Sequence, residues 1–316
     1  MPAISSTASG KIILFGEHSV VYGHPAIAVP VTEVKARAII RAAPRSPSGE
    51  IFVDAPDINL RSSYHDLPQD HPLAAAIRLV KSALSISNPP ACQIRVTSTI
   101  PIAASLGSGT AVSIALIRSL SAFMGRPLPD EQVSKLAYEV DRIHHGNPSG
   151  IDNSVITYAK PVYFVRNEPI QIINMAVPFT ILIADTGIPS PTSITVNDLN
   201  MRWEADPQRY NNIFFSVEEI VISARTAIET GKPIELGLLM SRNHNLLRDL
   251  GVSSPELDHL VKSALHVGAL GAKMSGGGRG GNMIALPNQE DIVSLSTNLM
   301  NAGAVRVIRS NLPAAR

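Results

Sequence analysis

A glycine-rich run near residue 275 constrains the fold of this chain more than any other feature. The run, KMSGGGRGGNMIAL, covers residues 273–286 and contains five glycines within six positions. Gly276, Gly278 and Gly281 match G-x-G-x-x-G, but the dinucleotide-binding fingerprint needs these glycines between a strand and a following helix. Here they lead into NMIAL, which has the pattern of a strand, so we exclude a Rossmann fold. The glycines indicate that the backbone closely approaches a ligand or another loop. A flexible surface loop is the alternative.

The composition excludes several classes of protein. With 27 Lys and Arg against 26 Asp and Glu, the net charge is +1, without the basic excess typical of nucleic-acid binders. No run of 18 apolar residues is present for a membrane span, and residues 1–10 lack the features of a secretory signal. Cys92 is the only cysteine, which excludes an internal disulfide and a cysteine-rich metal site. We therefore expect a reduced, cytoplasmic protein without nucleic-acid or membrane partners.

The order of predicted elements favours an α+β fold of two domains. The 316 residues suffice for about two domains. In the first half we predict strands at 11–15, 26–42 and 93–100 and short strands over 155–174. We predict helices at about 72–84, after the loop at 105–110 as far as about residue 123, and at 130–146, with Asp130 as N-cap and Gly146 as stop. In the second half we predict strands at 179–187, 282–286 and 304–309, and helices at about 207–230, 236–250, 255–266 and 289–301. Because no steady βαβ alternation appears, we prefer α+β to a doubly wound sheet and place a boundary near residue 177, giving domains 1–177 and 178–316.

Charged side chains at the end of an apolar strand mark a first candidate site. The stretch GKIILFGEHSVVYGHPAIAVPV, residues 10–31, places Lys11 before the apolar run and Glu17 and His18 directly after Gly16. These side chains either cap the strand or form one wall of a binding site.

A small-residue loop before a helix marks a second candidate site. Residues 105–110, SLGSGT, precede a helix with an apolar face, so backbone N–H groups and the positive end of the helix dipole are suited to a phosphate. The spacing is not that of a Walker A motif, and no lysine follows, so this is not a P-loop NTPase. An ordinary strand-to-helix turn is the alternative.

Two aspartates in DRIHHGNPSGIDN, residues 141–153, mark a third candidate site. Asp141 ends the amphipathic helix on its polar side, and Asp152 follows a turn beside apolar Ile151. Asp152 is either a turn residue or a base in a partly dry pocket. His144 and His145 point about 100° apart on a helix and do not share a metal ion, so structural histidines are favoured.

These motifs, in this order, resemble those of the GHMP small-molecule kinases. The family's P-x-x-x-G-L-G-S-S-A motif is similar to PIAASLGSGT at residues 101–110, and its K-[LM]-[ST]-G-x-G-x-G-G motif matches residues 273–281. GEHSVVYGHPAIAVPV and HGNPSGIDN resemble the mevalonate kinases within that family more than the galactokinases. The resemblance extends loosely over most of the chain, including TGIPSPT and NHNLLRDLGVSSPELDHL.

The resemblance implies a fold and a reaction. The fold would combine a ribosomal S5 domain 2-like N-terminal domain, with the ATP phosphate loop and the catalytic base, and a ferredoxin-like C-terminal domain. The reaction would be transfer of the ATP γ-phosphoryl group to the C5 hydroxyl of mevalonate, in the mevalonate pathway of isoprenoid biosynthesis. ATP and Mg²⁺ would be the cofactors and mevalonate the substrate, and a homodimer is expected.

The resemblance also implies roles for individual residues. Asp152 would be the catalytic base, and Lys11 beside it would keep it ionised and oriented and offset charge on the transferred group. Ser108 and Asp141 would bind Mg²⁺, and Glu17, His18, Thr192 and Asp152 would lie near the acceptor. The ATP phosphates would be held by Ser105, Leu106, Gly107, Ser108, Gly109 and Thr110, with Gly276 and Gly278 in the run that backs this loop.

Three departures from the family pattern and two alternative functions accompany these expectations. Gly109 replaces a serine, Asp141 replaces a glutamate, and Arg279 stands where glycine is usual. Because aspartate is one methylene shorter, Asp141 would reach Mg²⁺ directly or through water. The alternatives are a kinase for another small alcohol such as phosphomevalonate, and a non-catalytic ligand sensor. The joint presence of Lys11, Ser108, Asp141 and Asp152 argues against a sensor.

Overall fold

The chain forms two compact units, each of which collects several stretches of sequence. The computed structural model describes residues 3–101, 104–145, 148–190 and 192–314, apart from the side chains of His145 and Gln289. The first unit consists of the described residues within 1–10, 34–101 and 107–159, and the second of those within 11–33, 102–106 and 160–316. The boundary expected near residue 177 concerns the family's two domains rather than these units, and it stays a prediction.

The first unit contains a sheet and a group of helices. The elements that begin before residue 159 are β1 (Ile4–Phe15), β2 (Ala26–Ala42), β3 (Ile51–Ala55), β4 (Leu60–Ser63), α1 (Pro72–Ala83), β5 (Cys92–Ser98), α2 (Ser108–Phe123), α3 (Asp130–His145) and α4 (Ile151–Tyr158). The strand order in this unit is β4-β3-β5-β2, with β3 parallel to β5 and the other two pairs antiparallel. β1 pairs with β2, and both long strands contribute residues to both units. Alternate residues of β2 between Val34 and Ile40 are buried, as expected for a strand with one face on a core.

The helices of the first unit pack against one another and position two of the candidate aspartates. α1, α2 and α3 are in mutual contact, and α4 contacts both α2 and α3. The predicted apolar face of α3 is buried at Val133, Ala137 and Val140, so this helix is confirmed. α3 begins at Asp130, whose carboxylate accepts a hydrogen bond from Arg118 at 2.7 Å. The stop predicted at Gly146 lies outside the described residues.

α4 corrects the prediction of short strands from residue 155. Its β-branched residues, Val155 to Thr157, favour a strand by propensity, but all three are buried in a helix. Gly150 precedes the helix with φ of +91°, and the Ser154 hydroxyl donates to the Gly150 carbonyl at 2.7 Å. Tertiary burial and this glycine turn therefore override the local preference.

The second unit contains an antiparallel sheet covered by helices. Its later elements are β6 (Val162–Phe164), β7 (Gln171–Ile172), β8 (Phe179–Asp185), α5 (Thr192–Ala205), α6 (Pro207–Glu229), α7 (Pro233–Asp249), α8 (Pro255–His266), β9 (Gly271–Ser275), β10 (Asn282–Leu286), α9 (Ile292–Asn301) and β11 (Arg306–Leu312). The strand order is β11-β8-β10-β9, entirely antiparallel. The first residues of β2 pair with β6, which pairs with β7. The predicted elements of this half are confirmed within a few residues, whereas α5 and β9 were not predicted.

Candidate active site

The second motif forms an open helix N-terminus. Gly107 has φ of +73° and occupies the N-cap position of α2, with no side chain capping the helix. The first N–H groups of an α-helix have no acceptor within the helix, so those of Ser108 to Thr110 are oriented for a ligand. Apart from its chain neighbours and the backbone of α2, no described atom lies within 4 Å of a Cβ built on Gly109, so this glycine faces open space.

The first turn of α2 is linked to the end of α3. The Thr110 hydroxyl donates to Asp141 Oδ2 at 2.8 Å, and both side chains are buried. This bond places the Asp141 carboxylate beside the turn that begins with Ser108. The Asp141 carboxylate therefore lies at the first turn of α2, and Mg²⁺ typically takes one or two carboxylates together with phosphate oxygens.

Asp152 lies at the start of α4. It is the second residue of the helix, it is half-buried, and its neighbours Ile151 and Asn153 are buried. The Asn153 amide donates to the Ser134 hydroxyl at 2.8 Å, which fixes the start of α4 against α3. Asp152 is thus a carboxylate on a rigid helix end.

In the second unit, Glu17 and the lysine of the glycine motif form a buried ion pair. The side chains of Glu17 and Lys273 are fully buried, and the Lys273 ammonium donates to Glu17 Oε1 and to the Met274 carbonyl. Burial lowers the pKa of Lys273, and the charge of Glu17 opposes this shift. Glu17 Oε2 is also buried, and no described residue provides it with a hydrogen-bond donor.

His18 is held as a neutral imidazole. Its Nε2 lies 3.1 Å from the Gly277 carbonyl oxygen, which only accepts, so Nε2 carries the proton. Burial lowers the pKa of His18 to about 4, and nearby positive charges act in the same direction. His18 has φ of +63°, a left-handed conformation that is uncommon outside glycine.

The glycine run is closely packed, which rejects the alternative of a flexible surface loop. A Cβ on Gly276 would lie 2.8 Å from the Ser105 side chain, one on Gly277 would collide with Thr192, and one on Gly278 with the Val252 carbonyl. The Asn282 amide donates to the Ala104 carbonyl. The glycine run therefore packs against residues 104 and 105, at the start of the small-residue loop.

The remaining predicted residues take the following places. Lys11 is buried in β1, and its N–H donates to the Leu106 carbonyl at 3.0 Å. Thr192 begins α5, beside Gly277, so the structure brings Thr192 and His18 to the same peptide of the glycine run. Arg279 has φ of +54° and donates to Asp198 at 2.6 Å, which accommodates an arginine where the family has glycine.

Sequence reasoning missed the partners of these residues. The pairing of Lys273 with Glu17 and of Thr110 with Asp141 was not predicted. A lysine within the apolar pattern of a buried strand was the available signal for the first, because such a lysine needs a counter-charge. Within the described part of the chain, no group of three His, Cys, Asp or Glu could hold a metal, and no helix could cross a membrane.

Comparisons with known proteins match this geometry. Two family models match, the GHMP kinases N terminal domain over residues 71–160 and the GHMP kinases C terminal domain over residues 224–303. A mevalonate kinase of Pyrococcus horikoshii is 32% identical, with the alignment covering 96% of this chain and 94% of the relative. The crystal structure of L. major mevalonate kinase in complex with R-mevalonate is similar with a TM-score of 0.85 and 27% identity, over 99% of this chain and 97% of that one. The crystal structure of the Methanococcus jannaschii mevalonate kinase is similar with a TM-score of 0.83 and 26% identity, over 100% of this chain and 99% of that one.

Proposed function

The chain belongs to the mevalonate kinases of the GHMP kinase family, and we propose that it transfers the γ-phosphoryl group of ATP to the C5 hydroxyl of mevalonate. The products are 5-phosphomevalonate and ADP, an early step of isoprenoid biosynthesis. The observation that carries the proposal is the open N-terminus of α2, with Asp141 held at its first turn by Thr110. Phosphoryl transfer needs mainly positioning and charge neutralisation, and this arrangement offers both.

The phosphate groups of ATP bind along residues 105–110 in this proposal. The backbone N–H groups of Ser108, Gly109 and Thr110 donate to phosphate oxygens, and the left-handed Gly107 turns the chain so that these groups point outward. Ser105 and Leu106 form the approach to the helix, and the glycine run supports it through Gly276. The small side chains leave room for the triphosphate.

Ser108 and Asp141 are the residues proposed to hold Mg²⁺. A hydroxyl and a carboxylate match the preference of this ion for oxygen ligands, with waters and phosphate oxygens completing its shell. When bound, Mg²⁺ neutralises charge on the β- and γ-phosphates. Thr110 orients the carboxylate of Asp141 by donating to one of its oxygens.

Asp152 and Lys11 are proposed to act on the acceptor hydroxyl. Asp152 accepts the proton of the C5 hydroxyl. The hydroxyl oxygen forms a bond to the γ-phosphorus while the bond between the γ-phosphorus and ADP breaks. The place of Asp152 in the first turn of α4, beside the anchored Asn153, supports this role by fixing the position of the carboxylate. Lys11, in the role that the family resemblance implies, keeps Asp152 ionised and offsets charge on the transferred group.

Glu17, His18 and Thr192 are the proposed contacts of mevalonate. His18 is neutral, so its Nδ1 can accept a hydrogen bond from a hydroxyl while Nε2 stays bonded to Gly277. The same neutrality argues for an unphosphorylated acceptor. Between residues 16 and 24 the only other histidine, His24, is engaged with Glu218 at 2.5 Å, so this segment offers no unpaired cation for a phosphate.

A coupled assay of ADP release tests the proposal. Mevalonate, phosphomevalonate, galactose and homoserine are offered in turn with ATP and Mg²⁺. We expect turnover with mevalonate to exceed that with the other three by orders of magnitude. Preference for phosphomevalonate would contradict the proposed acceptor, and the absence of turnover with every alcohol would favour the ligand sensor.

We further propose a cytoplasmic homodimer whose family domains meet near residue 177. The homodimer rests on the family resemblance, and sedimentation of the purified protein at several concentrations tests it. The buried thiol of Cys92 fits a reducing compartment. The two family models lie on opposite sides of residue 177, which supports the proposed boundary.

A further inference from the structure

Lys273 is a fully buried cation in a strand that otherwise carries core residues. Its neighbours on β9, Ala272 and Met274, are buried and belong to the apolar core of the second unit. Lysine is almost never fully buried unless it is paired, because removing its charge from water is costly. An apolar residue would fill this position at lower cost, so the presence of lysine needs a reason.

The ammonium group of Lys273 connects the glycine run to the segment around Glu17. It donates to Glu17 Oε1 and to the Met274 carbonyl. Two further bonds link the same segments: the Ser275 hydroxyl donates to the Ile13 carbonyl at 2.7 Å, and His18 Nε2 donates to the Gly277 carbonyl at 3.1 Å. These contacts join residues about 260 positions apart in the sequence.

The pairing leaves one carboxylate oxygen of Glu17 without a donor. Oε1 is occupied by Lys273, whereas Oε2 is buried and has no hydrogen-bond partner among the described residues. A buried carboxylate oxygen without a donor is unfavourable in the protein alone, and a donor from a ligand would satisfy it. A hydroxyl group of an alcohol is such a donor.

We propose that Lys273 is a positioning residue for acceptor binding, which holds Glu17 by one oxygen so that the other accepts a hydrogen bond from a hydroxyl of the acceptor alcohol. The inference rests on the proposed function, since it concerns the same acceptor. Lys273 itself touches neither substrate. By positioning Glu17, Lys273 affects the binding of the alcohol rather than the binding of ATP.

A double-mutant cycle tests the proposal in the full-length enzyme. We compare Lys273→Met, Glu17→Gln and the double variant with the wild type, measuring kcat and the KM values for mevalonate and for ATP. We expect each variant to raise the KM for mevalonate by about 10-fold to 100-fold, the cost of a lost hydrogen bond to a charged group, with little change in the KM for ATP. The double variant should be no worse than Glu17→Gln alone, because Lys273 acts through Glu17.

Two features keep the test decisive. Lys273→Met leaves Glu17 as an unpaired buried charge and can fail to fold, whereas the double variant removes both charges and still shows whether the pair is needed for binding of mevalonate. Leu182→Ala creates a cavity in the core that contains Ala272 and Met274, on the face of the sheet opposite to Lys273, and is the control for lost stability alone. It should lower the melting temperature without changing the ratio of the two KM values.

The outcomes separate the two proposals. A double variant that binds mevalonate like the wild type, or one whose KM for ATP rises as much as that for mevalonate, would overturn the positioning role. A wild type without turnover on mevalonate would instead overturn the proposed function, and the wild type is assayed first.

Discussion

Asp152 is a half-buried carboxylate in the first turn of a helix that is anchored by its neighbour Asn153. Asp152→Asn preserves the shape of the side chain but removes the ability to accept a proton. We expect kcat to fall by at least about 100-fold while ATP binding persists, since general-base assistance contributes about 10²–10⁴-fold. Steady-state kinetics with ATP-analogue titrations measure both quantities. Asp130→Asn, which removes a first-turn carboxylate from α3, is the control and should leave kcat unchanged.

Lys11→Met extends this prediction to the second proposed catalytic residue. It should lower kcat, and the double variant with Asp152→Asn should lose less than the two single losses combined, because the two residues act as a unit. Additive losses would show that Lys11 acts independently of Asp152. Near-normal turnover by a folded Asp152→Asn protein would contradict the mechanism.

His18 should make the stability of the protein sensitive to acid. Its pKa is about 4 in the folded protein and 6.5 in an unfolded chain, so the unfolded state binds the additional proton between these values. The free energy of unfolding should therefore fall as the pH drops from about 6.5 to about 4, by about 3 kcal/mol in total from this residue. Urea unfolding of His18→Gln at pH 7 and pH 5 should show a smaller decrease than the wild type. His65→Gln, at an exposed histidine, is the control and should retain the wild-type slope.

The contact between α2 and α3 determines the expected metal dependence. Asp141→Asn keeps the hydrogen bond from Thr110 but removes the negative charge. We expect the Mg²⁺ concentration for half-maximal rate to rise at least about tenfold, with little effect on mevalonate binding. Ser108→Ala should have a milder effect, because water can replace a neutral ligand. Ser113→Ala, which removes a hydroxyl bonded within α2, provides the comparison, and an unchanged magnesium titration for Asp141→Asn would exclude Asp141 from the site.

The glycines of the two loops should differ in their tolerance of a side chain. Gly278 has φ of +76°, and a Cβ there would collide with the Val252 carbonyl, whereas Gly109 lies at a helix start facing open space. Gly278→Ala should lower the free energy of unfolding by more than about 1–2 kcal/mol, the cost of the left-handed conformation alone. Gly109→Ala should leave it unchanged or raise it. Chemical denaturation compares the two, and equal stability of both variants would contradict the packing of the glycine run.

Sequence patterns predicted the elements whose buried residues repeat at the helical or strand period. They failed where contacts between residues far apart in the sequence determine the structure. The face of α3 was predicted because Val133, Ala137 and Val140 repeat at the helical period. α4 was missed because its β-branched residues favour a strand and only burial makes them helical. The motifs located Glu17 and Asp141, but their partners lie 256 and 31 residues away, and no local pattern records such pairings.

At the scale of the whole molecule, the second unit depends on residues from the first tenth of the chain. Residues 11–33 belong to it, and within them Glu17 provides the negative charge that neutralises Lys273. A fragment that begins at the proposed boundary, residues 178–316, contains the whole sheet of β8 to β11 but lacks Glu17. In this fragment Lys273 would be a buried charge without its partner.

We therefore expect Lys273→Met to stabilise the 178–316 fragment although it destabilises the full-length protein. An unpaired buried charge costs about 3–5 kcal/mol, and methionine removes the charge while keeping the length of the side chain. Far-UV circular dichroism and urea unfolding measure the stability of the 178–316 fragment and of the full-length protein, each with and without Lys273→Met. Lys262→Met, at an exposed lysine of α8, is the matched control and should not change the free energy of unfolding of the fragment or of the full-length protein. If the substitution lowered the stability of the fragment as well, Lys273 would be held by contacts within residues 178–316 rather than by Glu17.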